Sequence, residues 1–488
     1  MVSTRDKYNN QECDNSMTFQ DCELAILRHA VDENEATLGE KIANSDDVKT
    51  IIKILENFLV RKKCICYGGT AINNILPKYA QFYNRDIEIP DYDFFSNNAL
   101  EDAKELADIY YATGYKEVEA KAGVHHGTFK VFVNFIPVAD ITYLEDEIYK
   151  ALQKEVIVRA GIRYAPPNYL RMSMYLELSR PQGDVSRWEK VFKRLTLLNK
   201  HYPLKPDTEC NTIDFQREMD EKSPNNEHLY FLTRDALIEQ GVIFFGGYGS
   251  VLYSQYINNK KRKYIQSIPD FDVLSEDPET TALILTERLN DSGFKDTKTL
   301  HHPAIGELIP ERVEVLVGRD TIAFIFKPIA CHSYNTIRVG EKEINVATID
   351  TILSFYLAFI YTDKPYFNKD RILCMAQFLF EVEEKNRLRQ TGLLKRFTMN
   401  CYGKQETLET IRALKTEMYK KLSDQRGTRE YDMWFLKYSP ALNKEKQDKQ
   451  KDKSSKTQKK RAKSNKTKTR SSTNKFSKLF RKSFTKFS

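Results

Sequence analysis

Tyr67-Gly68-Gly69-Thr70-Ala71-Ile72-Asn73, followed by Pro90-Asp91-Tyr92-Asp93-Phe94-Phe95-Ser96, is the stretch on which the fold turns. It contains an apolar run, a Gly-Gly turn, the start of a helix, and then two aspartates one residue apart. The same order recurs downstream. Val242-Ile243-Phe244-Phe245-Gly246-Gly247-Tyr248 is followed by Ile268-Pro269-Asp270-Phe271-Asp272-Val273. From the second glycine to the first aspartate the interval is 22 residues in one copy and 23 in the other.

A third block follows each pair: Phe135-Ile136-Pro137-Val138-Ala139-Asp140 aligns with Phe326-Lys327-Pro328-Ile329-Ala330-Cys331. Beyond it, Tyr169 to Lys200 and Ile349 to Lys385 have apolar residues at three- and four-residue intervals and read as helical. Ordered triplets at matched spacing identify a tandem duplication of one domain. Alternating helices and short strands give an α+β class, a mixed sheet flanked by helices, with the second copy degenerate. The opening helix is expected over Val48 to Leu59, capped from Ser45-Asp46-Asp47, with Ile51, Ile52, Leu55, Phe58 and Leu59 on one stripe. The expected boundaries are a helical leader over 1–40, a catalytic domain over 41–200 and a linker over 201–226. A degenerate domain over 227–440 and a basic tail over 441–488 complete the chain.

Along a strand, alternate side chains share a face. Asp91 and Asp93 therefore point one way, and Tyr92 and Phe94 the other. Phe129 to Ile141 reads as one strand beside them, and Asp140 lies near its end. Three converging carboxylates are suited to two magnesium ions about 4 Å apart, the arrangement used for phosphoryl transfer. Glycines let the backbone approach phosphates, and the amides that open the following helix favour anions. Gly68, Gly69 and Thr70 are thus the candidate nucleotide-binding turn, with the Thr70 hydroxyl free to reach a phosphate oxygen. In the second copy a thiol at Cys331 would replace the third carboxylate. Thiols are poor magnesium ligands, so that copy is expected to do no chemistry.

Other signals are weaker. His125-His126 and His301-His302 read more simply as surface or packing histidines than as metal ligands. Lys154, Arg163 and Tyr164 follow the catalytic strand, but each alone fits a solvated or packed position. Phe476 to Arg481 has the pattern of a short amphipathic contact.

The overall charge of +8 conceals an asymmetry. Residues 441–488 hold 18 Lys/Arg against 3 Asp/Glu, which leaves the first 440 residues at a net −7. The Lys/Ser/Thr-rich tail cannot bury a core, and it could attract RNA, act as a nuclear address or simply solubilise. No run of about 18 uncharged apolar residues occurs, so a membrane-spanning helix is not expected. The polar start has no secretory signal pattern. Eight cysteines without CxxC or zinc-finger spacing read as free thiols of a reducing compartment.

With Val138-Ala139-Asp140-Ile141-Thr142 added to the first two motifs, the sequence resembles the catalytic subunit of poly(A) polymerases of large DNA viruses. The resemblance is to the mimivirus-like branch first and to poxviral enzymes more distantly. It extends over residues 20–430, within the polymerase-β-like nucleotidyltransferase superfamily, although the interval from Gly-Gly to Asp-x-Asp is longer than is usual there. It implies ATP as substrate, an RNA 3′ end as acceptor and Mg2+ or Mn2+ held by Asp91, Asp93 and Asp140. It also implies an inactive second nucleotidyltransferase-like domain and assembly with another subunit, such as a heteromeric processivity subunit; the broad surfaces of a duplicated chain make a homodimer the alternative expectation. The reducing compartment read from the thiols is cytoplasm or nucleus, and the expected location is cytoplasmic, at a viral replication site or packaged in the virion. Two other classes compete with this one: a nucleotidyltransferase with a non-RNA acceptor, and a non-catalytic RNA-binding processivity subunit.

Overall fold

The computed structural model describes residues 13, 16–43, 45–84, 89–206, 209–210, 226–257 and 269–444. The tail from 445 onward and most of the 201–226 linker lie outside the described residues.

The first unit opens with α1 (Phe19–Ala43) and α2 (Asp46–Lys62). Ser45 accepts the Val48 N–H and caps α2, with Asp46 and Asp47 in the first turn, where negative charge suits the helix dipole. Val48, Ile51, Leu55, Phe58 and Leu59 are buried along one face, each stabilising the fold by about 2 kcal/mol. Ile52 is only partly covered. There follow β1 (Ile65–Tyr67), α3 (Gly68–Ile75), β2 (Tyr92–Ser96), α4 (Ala99–Ala112), β3 (Val118–Ala122), β4 (Thr128–Val133) and β5 (Ile136–Tyr143). The run expected as one strand is a hairpin. The chain reverses at Asn134-Phe135, both in the left-handed region (φ 50 and 67) without a glycine to announce it. The unit ends with α5 (Asp146–Glu155), β6 (Ile157–Arg159), β7 (Ile162–Tyr164), α6 (Pro167–Leu178) and α7 (Trp188–His201). The last two divide what reads from sequence as one helical stretch.

The second unit comprises α8 (Asn226–Glu239), β8 (Ile243–Phe244), α9 (Gly247–Leu252), β9 (Phe271–Leu274) and α10 (Pro278–Asp291). It continues through β10 (Thr297–His302), β11 (Arg312–Val317), β12 (Asp320–Phe326), β13 (His332–Val339) and β14 (Lys342–Ala347) to α11 (Ile349–Phe359) and α12 (Lys369–Lys385). β15 (Cys401–Tyr402), α13 (Leu408–Leu422), α14 (Arg429–Phe435) and β16 (Lys437–Tyr438) close the described chain.

The sheets prove the duplication. Their orders are β16-β3-β4-β5-β2-β1-β7-β6 and β10-β11-β12-β9-β8-β14-β13-β15. Without the outermost strands β16 and β15, each strand of the first sheet has its counterpart seven numbers on in the second. Strand directions agree as well: β2/β5 and β9/β12 are parallel, whereas β1/β2 and β8/β9 are antiparallel. The fold is therefore α+β, with two mixed sheets flanked by helices.

The two units share one apolar core. α6 lies against α11, with Tyr169 edge-on to Tyr361 at 5.5 Å and the Ser333 N–H donating to the Ser179 carbonyl. Arg171 is fully buried at this junction, and it donates to Asn199 and, through closer contacts, to Asn168 and the Tyr202 carbonyl. The chain end returns to the first unit. β16 pairs with β3, the Ala122 N–H donates to the Leu436 carbonyl at 3.0 Å, and Lys104 pairs with Asp432 at 3.0 Å.

The expectation of free thiols fails. Cys13–Cys22, Cys210–Cys374 and Cys331–Cys401 are disulfides, while Cys64 and Cys66 stay free and buried. Two of the pairs join residues 164 and 70 positions apart, which only the tertiary fold brings together. Among the described residues no helix is long and apolar enough to cross a membrane.

Candidate active site

Four adjacent strands set one line of side chains. Tyr67 on β1 is opposite Asp93 on β2, Asp93 is opposite Asp140 on β5, and Asp140 is opposite Lys130 on β4. Neighbouring strands lie about 4.8 Å apart, so Asp93 and Asp140 face one another directly. Asp91, just ahead of β2, is exposed beside them, and Tyr92 and Phe94 are fully buried in the opposite layer, as alternation requires.

Burial and mutual repulsion shape the charges. Burial, then the charges of Asp91 and Asp140, push the Asp93 carboxyl up to about 7. Asp91 keeps one side open to solvent, yet partial burial, then Asp140, raises its carboxyl, and Lys130 and Lys190 pull it back. Lys130 forms an ion pair with Asp140. Among the described residues no three His, Cys, Asp or Glu side chains already stand at metal-holding distances. The donor set nevertheless fits a divalent cation. The carboxylates are hard oxygen donors, and their charges add to burial in raising Asp93 and draw a lysine onto Asp140.

The glycine turn presses on this line. Gly68 has φ +70, and a β-carbon there would lie 2.7 Å from Asp93 Oδ2, so only glycine fits. A β-carbon on Gly69 would meet Tyr83 Oη at 2.5 Å and Arg194 Nη1 at 2.8 Å. The Thr70 hydroxyl donates to the Asp91 carbonyl at 2.5 Å. Here its proton braces the aspartate loop.

Sequence reasoning missed the wall beyond the turn. Asn73 Oδ1 accepts the N–H groups of Phe82 and Tyr83 at 2.8 and 2.9 Å and so holds both rings in place. Arg194 donates to the Tyr83 hydroxyl at 2.6 Å and lies over both rings. With Lys190 and Lys193 these residues line an opening of about 890 Å³ next to Gly69. The available signal was Lys190 and Arg194, four residues apart on one face of α7, with Arg187 just ahead of the helix. Other sequence candidates are structural. Tyr164 is buried and its hydroxyl takes the Asn74 amide at 3.0 Å. His126 lies against Trp434 at 4.2 Å, the rings tilted by 40°, and His302 pairs with Glu314 at 2.6 Å.

The second copy is neutralised internally. Asp270 and Asp272 are buried. The Gly247 N–H donates to Asp270 Oδ1 at 3.1 Å, and Arg371 pairs with Asp270 Oδ2 at 3.2 Å. The residue opposite Asp272 is Phe324, not Cys331, and Glu314 stands where the first copy has Lys130. Cys331 lies five residues past β12, bonded to Cys401. The sequence alignment of the third block is thus corrected by register, and a phenylalanine is an even worse ligand than a thiol.

Residues 53–184 match the family described as the poly(A) polymerase catalytic subunit. A protein named as that subunit in African swine fever virus (strain Badajoz 1971 Vero-adapted) is 33% identical over 168 residues, 33% of this chain and 35% of the viral protein. The protein so named in Acanthamoeba polyphaga mimivirus is 30% identical over 205 residues, 41% of this chain and 32% of that protein. The chain thus spans about a third of the length of these relatives. The crystal structure of the Megavirus polyadenylate synthase superposes with a TM-score of 0.73 over 91% of both chains, at 18% identity, a likeness of fold. Over residues 53–184, which hold the three aspartates and the glycine turn, this chain is similar to the catalytic subunits of viral poly(A) polymerases.

Proposed function

We propose that this chain adds AMP from ATP to RNA 3′ ends without a template, releasing pyrophosphate. The observation that carries the reading is the line Asp93–Asp140 with Asp91 beside it, under a turn where only glycine fits, inside the segment that matches the family. The oxygen of the RNA 3′-hydroxyl bonds to the α-phosphorus of ATP, the bond to the pyrophosphate oxygen breaks, and the hydroxyl proton leaves to a nearby base. When bound, Mg2+ or Mn2+ on Asp91, Asp93 and Asp140 supplies the positive charge that the reacting phosphates need.

The chain's own groups do the rest. Gly68 and Gly69 keep the turn low enough for the triphosphate to approach backbone amides at the start of α3. Lys190 and Arg194 offer charge to the outer phosphates, and the Phe82-Tyr83 wall offers flat faces to the base. Lys130 offsets part of the Asp140 charge while no nucleotide is present. The domain limits 41–200 and 227–440, a homodimer or a processivity partner, and a cytoplasmic viral replication site belong to the same proposal. A monomer by light scattering would remove the homodimer.

The test is extension of a short RNA with each of the four nucleoside triphosphates and Mg2+ or Mn2+. A ladder with ATP alone that disappears in Asp91→Ala, which forfeits about 3 kcal/mol or more of transition-state stabilisation, is the expected outcome. Pyrophosphate release without RNA would point to another acceptor, and RNA retention without turnover to a binding subunit.

A further inference from the structure

A second cavity, of about 770 Å³, lies where the two units meet, between α7 and the segment 393–397. Its walls combine two kinds of group. Phe192 from the first unit and Phe397 from the second face each other edge to face at 6.3 Å, and Trp188 lies 5.5 Å from Phe397. Both phenylalanines leave about two-fifths of their surface in solvent, at 40% and 42%. Around them stand three exposed cations, Lys200, Arg387 and Lys395, against one exposed carboxylate, Glu384.

The surface is held rigid from below. Arg396 lies 5.1 Å over Phe192 and 5.0 Å over Phe397, and its guanidinium is paired with buried Asp350 at 2.6 Å and with Glu383. Its charge is therefore spent within the protein, and it acts as a flat support for the rings. Phe397 itself sits in the left-handed region, φ 51, a conformation that costs a bulky residue energy. The ring is thereby held half in water, with a flat face open to a ligand.

The cavity adjoins the opening beside Gly69. Lys190, Lys193 and Arg194 line the opening beside Gly69, whereas Leu195, Asn199 and Lys200 line this one, and Phe192 and Thr196 line both. From Lys190 to Lys200 the helix runs about 15 Å, the length of a few nucleotides.

We propose that this cavity holds a nucleotide of single-stranded RNA a few positions upstream of the 3′ end, its base against Phe192 and Phe397 and its phosphate on Lys200, Lys395 and Arg387. Sequence-tolerant stacking with cations along the backbone is the usual means of gripping single strands. The inactive second unit then contributes half of the RNA grip through residues 387–397. The proposal rests on RNA being the acceptor, but its test reads binding and needs no turnover.

A 5′-labelled single-stranded RNA of about 20 nucleotides is titrated with the full chain by fluorescence anisotropy, and ATP affinity is measured separately. Phe397→Ala and Lys395→Glu are each expected to weaken RNA binding about tenfold, the loss of one stacked base or one phosphate contact, with ATP affinity unchanged. A 4-thiouridine placed about three positions from the 3′ end should crosslink to a peptide containing Phe192 or Phe397. Unchanged RNA affinity in both variants, or crosslinks confined to other peptides, would overturn the proposal. An equal fall in ATP affinity would also overturn it and assign the cavity to the free nucleotide. If Phe397→Ala does not fold, Lys395→Glu and Arg387→Glu at exposed positions decide the matter. A wild-type chain that grips RNA here yet extends none would sink the polymerase reading alone, and extension by variants with full RNA affinity would sink this one alone.

Discussion

At the residue scale, Asp93 is the most informative group. Its carboxyl ionises near 7 in the folded chain against about 3.9 in an unfolded one. A carboxyl raised in this way costs stability once it is charged. The cost is absent below about pH 4, grows as pH rises to about 7, and then stays level, because the unfolded chain binds fewer protons than the folded one in that window. Asp93→Asn is therefore expected to melt higher than the parent at neutral pH without divalent ions, by about 2–4 kcal/mol, while losing RNA extension. The difference should vanish near pH 4. Thermal melts across that range are the check, and a variant that is less stable at pH 7 would mean that Lys130 already cancels the repulsion. The sequence told which side of β2 the aspartates occupy, because the two-residue period is a backbone property. It did not tell that Thr70 spends its hydroxyl on the Asp91 carbonyl, or that Arg194 reaches Tyr83, since both depend on where the chain returns.

At the scale of elements, the two copies diverge through strand register. β5 carries an aspartate opposite Asp93, and β12 carries Phe324 opposite Asp272. In the second copy a guanidinium from α12, Arg371, meets the first aspartate. Asp270→Ala should leave extension within about twofold of the parent, because the proposed reaction uses no group of the second copy. It should still lower the melting point, since it takes a shared carboxylate from the buried Gly247 N–H and from the partly covered Arg371, a loss of about 2 kcal/mol. Extension assays and melts on the same preparation separate the two effects, and abolished extension in a folded variant would give the second copy a catalytic role. Hairpin β4–β5 shows why sequence misread one element. Its turn is Asn134-Phe135, which lacks the glycine that usually marks a left-handed pair, so the apolar run looked uninterrupted.

At the scale of the whole molecule, neither unit is closed by its own sequence neighbours. α6 needs α11, and the edge of β3 is covered by β16, more than 300 residues away in the chain. A fragment ending at residue 206 would lose both partners and expose an unpaired strand edge with the apolar face of α6. It is expected to aggregate or to lack a cooperative melt, whereas the full chain should unfold in one transition. Two well-resolved transitions in calorimetry of the full chain would show that the units are stable independently.

The sequence by itself determined the duplication, the α+β class, the apolar stripe of α2 and the face shared by Asp91 and Asp93. All of these follow from local periodicity and from order along the chain. Only the tertiary structure decided which residue stands opposite Asp272, that six of eight cysteines are paired, and that α7 lines both the opening beside Gly69 and a cavity walled by the second unit. These are contacts between segments far apart in the chain. No local pattern records them, because the free energy that selects them comes from packing the whole core at once.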